Sequence, residues 1–224
     1  MIPLLAIVFL LQSCNNDSTE PINVYDYYPL EIGKYQIYSV KVEVYSAGVS
    51  APVTTTYQEK DEIESMSTDA QGISTYIFSR STRNTSTDYW QKTKNYSVTE
   101  YPDKLLTNID NQTFFSLIFP IDLKVTWNGN IYNNLDSENY HYEDINKPMQ
   151  IDTLRFDNTL TLVERKDTSI INRYTGTKIY GLGVGLISDD QIAYEYCQAD
   201  DCIGSETIES GTHKTRTIIS YGTR

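Results

Sequence analysis

Apolar and polar residues alternate along much of the chain. Tyr38, Val40, Val42 and Val44 are interleaved with Ser39, Lys41, Glu43 and Tyr45, the period of two that turns one side of a strand toward a core. Ile73–Arg80 and Asp88–Val98 share this composition, and Thr113–Phe119 is a denser apolar run that reads as a strand buried on both faces or turning a corner. Further strands are predicted over Asn130–Tyr142, Thr159–Glu164, Lys178–Ile187, Gln191–Cys197 and Thr207–Ser220, all rich in Tyr, Thr, Val and Ile. Asp69–Gly72, Asn128-Gly129 and Thr175-Gly176 read as turns. No long segment carries a helical period. The expectation is a mainly β fold, a curled antiparallel sheet in the form of a barrel, half-barrel or sandwich, with few or no helices past the N-terminal segment.

The first residues break the rhythm. Ile2–Leu11 is an uninterrupted apolar run, within the ~7–15 residues of a signal-peptide core and short of the roughly 20 that span a bilayer. It ends in Leu11-Gln12-Ser13-Cys14, which resembles the lipobox of bacterial lipoproteins, cut before a cysteine whose sulfur carries diacylglycerol. Gln12 stands where a small or branched residue is usual, and no Lys or Arg precedes Cys14. The competing reading is a buried N-terminal strand or helix with an incidental Cys14. The resemblance implies a signal peptide over 1–13, a flexible linker over 14–23 lipidated at Cys14, and a single β-rich exported domain over 24–224. Polar Asn15–Asn23 suits the linker. Asn15 and Asn16 lack an aspartate that marks inner-membrane retention, so the expected location is the cell envelope, anchored to the outer membrane. Its periplasmic and surface faces both stay open.

Charge narrows the partners. The chain carries a formal net charge of −12, which repels phosphate backbones and argues against nucleic acid. It also disfavours docking on anionic lipid, so membrane attachment is expected through the lipid anchor. Cys197 and Cys202 are separated by Gln-Ala-Asp-Asp. In an exported protein this spacing suits a disulfide across a tight loop, with a weak zinc site as the alternative.

Two strand entries echo each other. Tyr28-Pro-Leu-Glu-Ile-Gly-Lys-Tyr35 and Phe119-Pro-Ile-Asp-Leu-Lys-Val-Thr-Trp127 both run aromatic, proline, aliphatic, acid, aliphatic, then aromatic. They suggest two half-domains with matching entries, or convergence on one strand-entry motif. Tyr27-Tyr-Pro-Leu-Glu-Ile-Gly33, Trp127-Asn-Gly-Asn130 and Tyr180-Gly-Leu-Gly-Val-Gly-Leu186 together resemble a family of small outer-membrane or periplasmic lipoproteins of Bacteroidetes-type bacteria, of unassigned function. The resemblance touches most of the chain. It implies a lipid-anchored β domain and transfers no catalytic or ligand-binding residue.

Candidate chemistry is sparse. Gly181-Leu-Gly-Val-Gly185 has the spacing G-x-G-x-G rather than a dinucleotide fingerprint, and close packing or a bulge explains it better. His141, Glu143 and Asp144 invite a metal reading, but in a strand His141 and Glu143 share a face and Asp144 does not, so no metal is expected. His213 is expected to be exposed, and Asp189-Asp190 and Asp200-Asp201 to lie in solvated turns. No serine occupies a G-x-S-x-G elbow. No catalytic residue and no cofactor is expected, and ligand-binding residues are not identified. The leading functional reading is noncatalytic binding of a partner protein or glycan. The alternative is a carrier of an apolar, lipid-like ligand inside a curved sheet, which needs a continuous apolar cavity. A hydrolase with an unrecognised carboxylate site ranks third.

Overall fold

The computed structural model describes residues 22–224. Cys14, the predicted signal peptide and most of the predicted linker lie outside the described residues. A single 3-10 turn, Val24–Tyr27, precedes the strands. The first six are β1 (Lys34–Tyr45), β2 (Val53–Thr68), β3 (Ser74–Arg83), β4 (Gln91–Tyr101), β5 (Lys104–Ile109) and β6 (Gln112–Ile118). The second six are β7 (Thr126–Asn128), β8 (Asn139–Ile151), β9 (Leu154–Thr168), β10 (Asn172–Gly181), β11 (Gly185–Tyr196) and β12 (Ile208–Thr223).

All pairings are antiparallel, and the sheet order is β6-β5-β4-β3-β2-β1-β12-β11-β10-β9-β8-β7. Each strand therefore pairs with its neighbours in sequence, and the first pairs with the last. Only the β6/β7 seam interrupts the ring. There Phe115 N–H donates to the Gly129 carbonyl at 2.8 Å, and the Trp127 indole donates to the Phe115 carbonyl at 2.8 Å. The result is an up-and-down sheet nearly closed into a barrel, which leaves few strand edges to protect. The seam separates two runs of six strands, and the two echoing entries lead into β1 and β7.

The inner wall follows the alternation read from the chain. Gln36, Tyr38 and Val40 of β1 are buried while Ser39 and Lys41 face water. The outer wall carries ion pairs such as Lys41–Glu43, Lys92–Glu64 and Lys166–Glu143, so it is built for water rather than for lipid. Alternate connections lie at opposite rims. One rim is plugged by the 3-10 turn: the Tyr25 hydroxyl donates to the Pro102 carbonyl at 2.7 Å, Gly183 N–H donates to the Asp26 carbonyl at 2.7 Å, and Tyr25 packs on Phe119 at 4.5 Å. Tyr27 is completely buried beneath it.

Several expectations need correction. Lys178–Ile187 is two strands joined by a turn, with Gly183 and Gly185 at φ +76° and +97°, a region that favours glycine. The glycine-rich segment is thus a hairpin. Gly176 lies inside β10 rather than in a turn. Asn130–Glu138 is a connection, and β8 starts only at Asn139. The alternation does not predict β2, β5, β7, most of β8 or the first half of β10. Gly129 matters for packing: a Cβ there would lie 2.2 Å from the Tyr140 ring, so the Trp-Asn-Gly-Asn motif makes room for an aromatic against the backbone.

Candidate functional site

The barrel interior holds a cavity of about 380 Å³ to which strands from both halves contribute. Its size falls in the ~300–1,000 Å³ range of small-ligand pockets. It reaches the surface at Leu135, which is 51% exposed, on the rim opposite the plug. Its lining combines aromatic rings (Tyr28, Tyr38, Phe78, Tyr96, Phe114, Tyr140, Tyr180) with charge. Four carboxylates, Asp61, Glu138, Glu164 and Asp189, face four cations, Arg80, Arg165, Lys178 and Arg216.

The charges are locked together. Arg80 binds Asp61 through two bonds of 2.7 and 2.8 Å, the bidentate geometry that orients a guanidinium most firmly. Arg216, two strands along the wall on β12, lies 2.8 Å from Asp61 and 2.6 Å from Glu59, with its Cζ 4.2 Å from the centre of the Tyr38 ring. Burial opposes ionisation of Asp61, but the Arg80 and Arg216 guanidiniums outweigh it and hold the carboxyl below its ordinary range. A second group lies on β9 to β11. Lys178 reaches Glu164 at 2.5 Å, and the Gln191 amide donates to Glu164 at 2.9 Å and Asp189 at 2.8 Å. Burial would strip the Lys178 proton, yet Glu164 and Asp189 keep its pKa well above normal. For Asp189, burial is outweighed by Lys178 and Arg216, which lower its pKa.

Local backbone devices build this second group. Gly176 pairs with Arg165 and Thr177 with Val163, so Glu164 is the extra residue of a β-bulge. The bulge allows consecutive Glu164 and Arg165 both to reach the cavity. Gly176 also faces Gln191 across the ladder, and a Cβ there would lie 2.6 Å from the Gln191 side-chain oxygen. The glycine gives that amide its path to Glu164.

Tyrosine hydroxyls supply the remaining polarity. Tyr38 donates to the Leu186 carbonyl, and Tyr142 bonds the Ile118 backbone. By contrast, the hydroxyls of Tyr28, Tyr96, Tyr140 and Tyr180 have no hydrogen-bond partner among the described residues, and all four rings line the cavity. Burial raises the pKa of each of these phenols, which keeps them neutral and able to donate as well as accept.

Of the residues with candidate chemistry in the sequence, Asp189 lines the cavity and the cysteines and histidines fall elsewhere. Cys197 and Cys202 are joined by a disulfide with Cα atoms 5.8 Å apart, in the β11–β12 connection. His141 lies 3.9 Å from Glu143 on the outer wall, and Lys166 bonds the same carboxylate. His213 is half-buried rather than exposed, 2.8 Å from Asp190 and 3.5 Å from Glu43. Asp189 and Asp190 sit in β11 rather than in a solvated turn, and Asp189 faces the interior; Asp200 and Asp201 are exposed in a turn. None of the interior charges was identified from sequence. Their one signal was phase, because Arg216 shares the alternation of buried Ile218, as Lys178 shares that of Tyr180.

These features define a nearly closed up-and-down β-barrel around an internal, charge-balanced, ligand-sized cavity. No protein-family model matches the chain, and no curated protein matches it. Among solved structures, a candidate lipoprotein from Parabacteroides distasonis is similar over 88% of this chain and 98% of its own, with a TM-score of 0.45 and 10% sequence identity.

Proposed function

We propose that this chain is a lipid-anchored envelope protein, tethered through Cys14, that binds a small neutral glycan in its barrel without transforming it. The observation that carries the reading is the cavity lining: equal numbers of carboxylates and cations, with four phenol hydroxyls that have no hydrogen-bond partner among the described residues. A balanced set of fixed charges exerts little net pull on an ion, but it presents acceptors and donors at every angle to a ligand rich in hydroxyls. The rings offer flat apolar surface for the faces of a sugar, and Phe78 and Tyr96 are already stacked at 4.8 Å. An apolar, lipid-like ligand fits less well, because it would leave these charges and phenols facing hydrocarbon. A partner protein could not enter an internal cavity of this size. Asp61 and Asp189, held ionised, are suited to accept hydrogen bonds rather than to donate a proton in catalysis.

The first described residues lie at the plugged rim, so a tether entering there leaves the open rim pointing away from the anchor. Outer-membrane placement and the absence of a nucleic-acid partner belong to the same proposal. Native mass spectrometry of protein extracted from its own envelope, followed by calorimetry with neutral mono- to trisaccharides, tests it. A retained hexose-type mass, and binding reduced about fivefold or more in Tyr140→Phe and Tyr180→Phe, is the expected result. A retained acyl chain would favour the apolar carrier. Sugar binding indifferent to both variants, or turnover of the sugar, would overturn the assignment.

A further inference from the structure

A second cavity, of about 390 Å³, opens on the other side of the Glu59–Arg80–Arg216 ion pairs and is built from β2, β3, β4 and β12. Its balance differs from that of the interior. Three cations, Arg80, Lys94 and Lys214, face a single carboxylate, Glu59. Glu59 is already engaged by Arg216 at 2.6 Å and Arg80 at 3.3 Å, and Lys94 is held by Asp110 at 2.6 Å. Lys214 has no ion-pair or hydrogen-bond partner among the described residues. Its ladder neighbours are Val42 on one side and Gln191 on the other. Hydroxyls of Thr55, Tyr57 and Thr82 and the amide of Asn84 complete the walls.

We propose that this cavity binds a small oxyanion, a phosphate or carboxylate group, with Lys214 as its principal cation. Arg80 and Arg216 are also held by Asp61, and Glu59 is already shared between them, so Lys214 is the half-buried cation left without a carboxylate among the described residues, and an anion here supplies that partner. In keeping with that geometry, burial lowers the pKa of Lys214; Glu59 opposes this, and the neighbouring Arg216 and Arg80 add to it. The protein's overall charge of −12 repels anions elsewhere, so a half-buried ammonium without a carboxylate partner marks where one can settle. Arg80 lines both cavities, but the assignment rests on Lys214, which lines this one and not the interior cavity.

The test uses the mature lipidated protein in detergent, titrated with inorganic phosphate or with acetate at ionic strength held constant with sodium chloride. Binding is read by calorimetry and by the side-chain NMR signals of isotope-labelled lysine. The expected result is a saturable shift of Lys214, affinity lowered about tenfold or more in Lys214→Met, and affinity retained in Lys214→Arg and in the surface control Lys92→Gln. Saturation by phosphate alone assigns a phosphate-type ligand, by acetate alone a carboxylate, and by both a general oxyanion site. Saturation by neither probe overturns the proposal, as does an equal loss in Lys92→Gln. Should Lys214→Met fail to fold, the Lys214 signal in the unsubstituted protein still decides the matter.

Discussion

Truncating Arg216 to Met gives the sharpest test of the interior network. Arg216 is 5% exposed and neighbours three carboxylates: Glu59 at 2.6 Å, Asp61 at 2.8 Å and Asp189 at 3.6 Å. At an effective dielectric of about 20, a pair near 2.8 Å attracts by ~6 kcal/mol, and much of this offsets the burial of the guanidinium. Methionine removes that burial cost along with the charge but leaves the carboxylates behind. Asp61 keeps Arg80 and Asp189 keeps Gln191, whereas Glu59 retains only its 3.3 Å approach to Arg80. The expected net loss is about 3–5 kcal/mol, as for other broken buried pairs. For a domain near this size that corresponds to a drop of roughly 6–20 °C in Tm. Urea unfolding followed by tyrosine and tryptophan fluorescence measures it. Adding Glu59→Gln should recover about 1–2 kcal/mol, because it removes the carboxylate that lost most. A loss below about 1 kcal/mol for Arg216→Met, or strict additivity in the double variant, would refute this account of the network.

Three further expectations follow from the same structure. Asp61 has its pKa depressed in the folded state, so its contribution is present above the ordinary carboxyl range and is lost as pH falls through the depressed value; stability against urea should decline in acid, and Asp61→Asn should be less stable at neutral pH with a flatter acid limb. Gly129→Ala forces a Cβ into the Tyr140 ring and should cost about 1–3 kcal/mol, measured by thermal unfolding; an unchanged Tm would mean that the ring moves aside freely. Cys14→Ala should yield a protein that no longer fractionates with membranes, and continued retention there would count against the lipid anchor.

How legible the chain was depended on what each strand carries inward. In β1 the inward residues Tyr38 and Val40 are apolar and the outward Ser39 and Lys41 polar, so period and burial coincide. In β2 the inward series is Tyr57, Glu59, Asp61 and Ile63; two acids in the apolar phase erase the alternation, and the strand passed unrecognised. β10 carries Lys178 inward, and Thr175-Gly176 reads as a turn, yet Gly176 is a strand residue that clears a path for Gln191. Local pattern loses the strands whose inward face is charged, because it cannot distinguish an exposed acid from a buried, paired one.

By itself the amino-acid sequence determined a curled antiparallel β fold, two matching strand entries and a lipobox-like start, since each rests on neighbouring residues or a period of two. Only the tertiary structure decided that β1 meets β12, that the ring nearly closes at the β6/β7 seam, and that Asp61 of β2 lies between Arg80 of β3 and Arg216 of β12, 155 positions away. Local periodicity shows which face each of these residues takes, but not which distant partner it meets there. Their charges become a site only when the closing sheet removes water from between them and makes each one depend on the others.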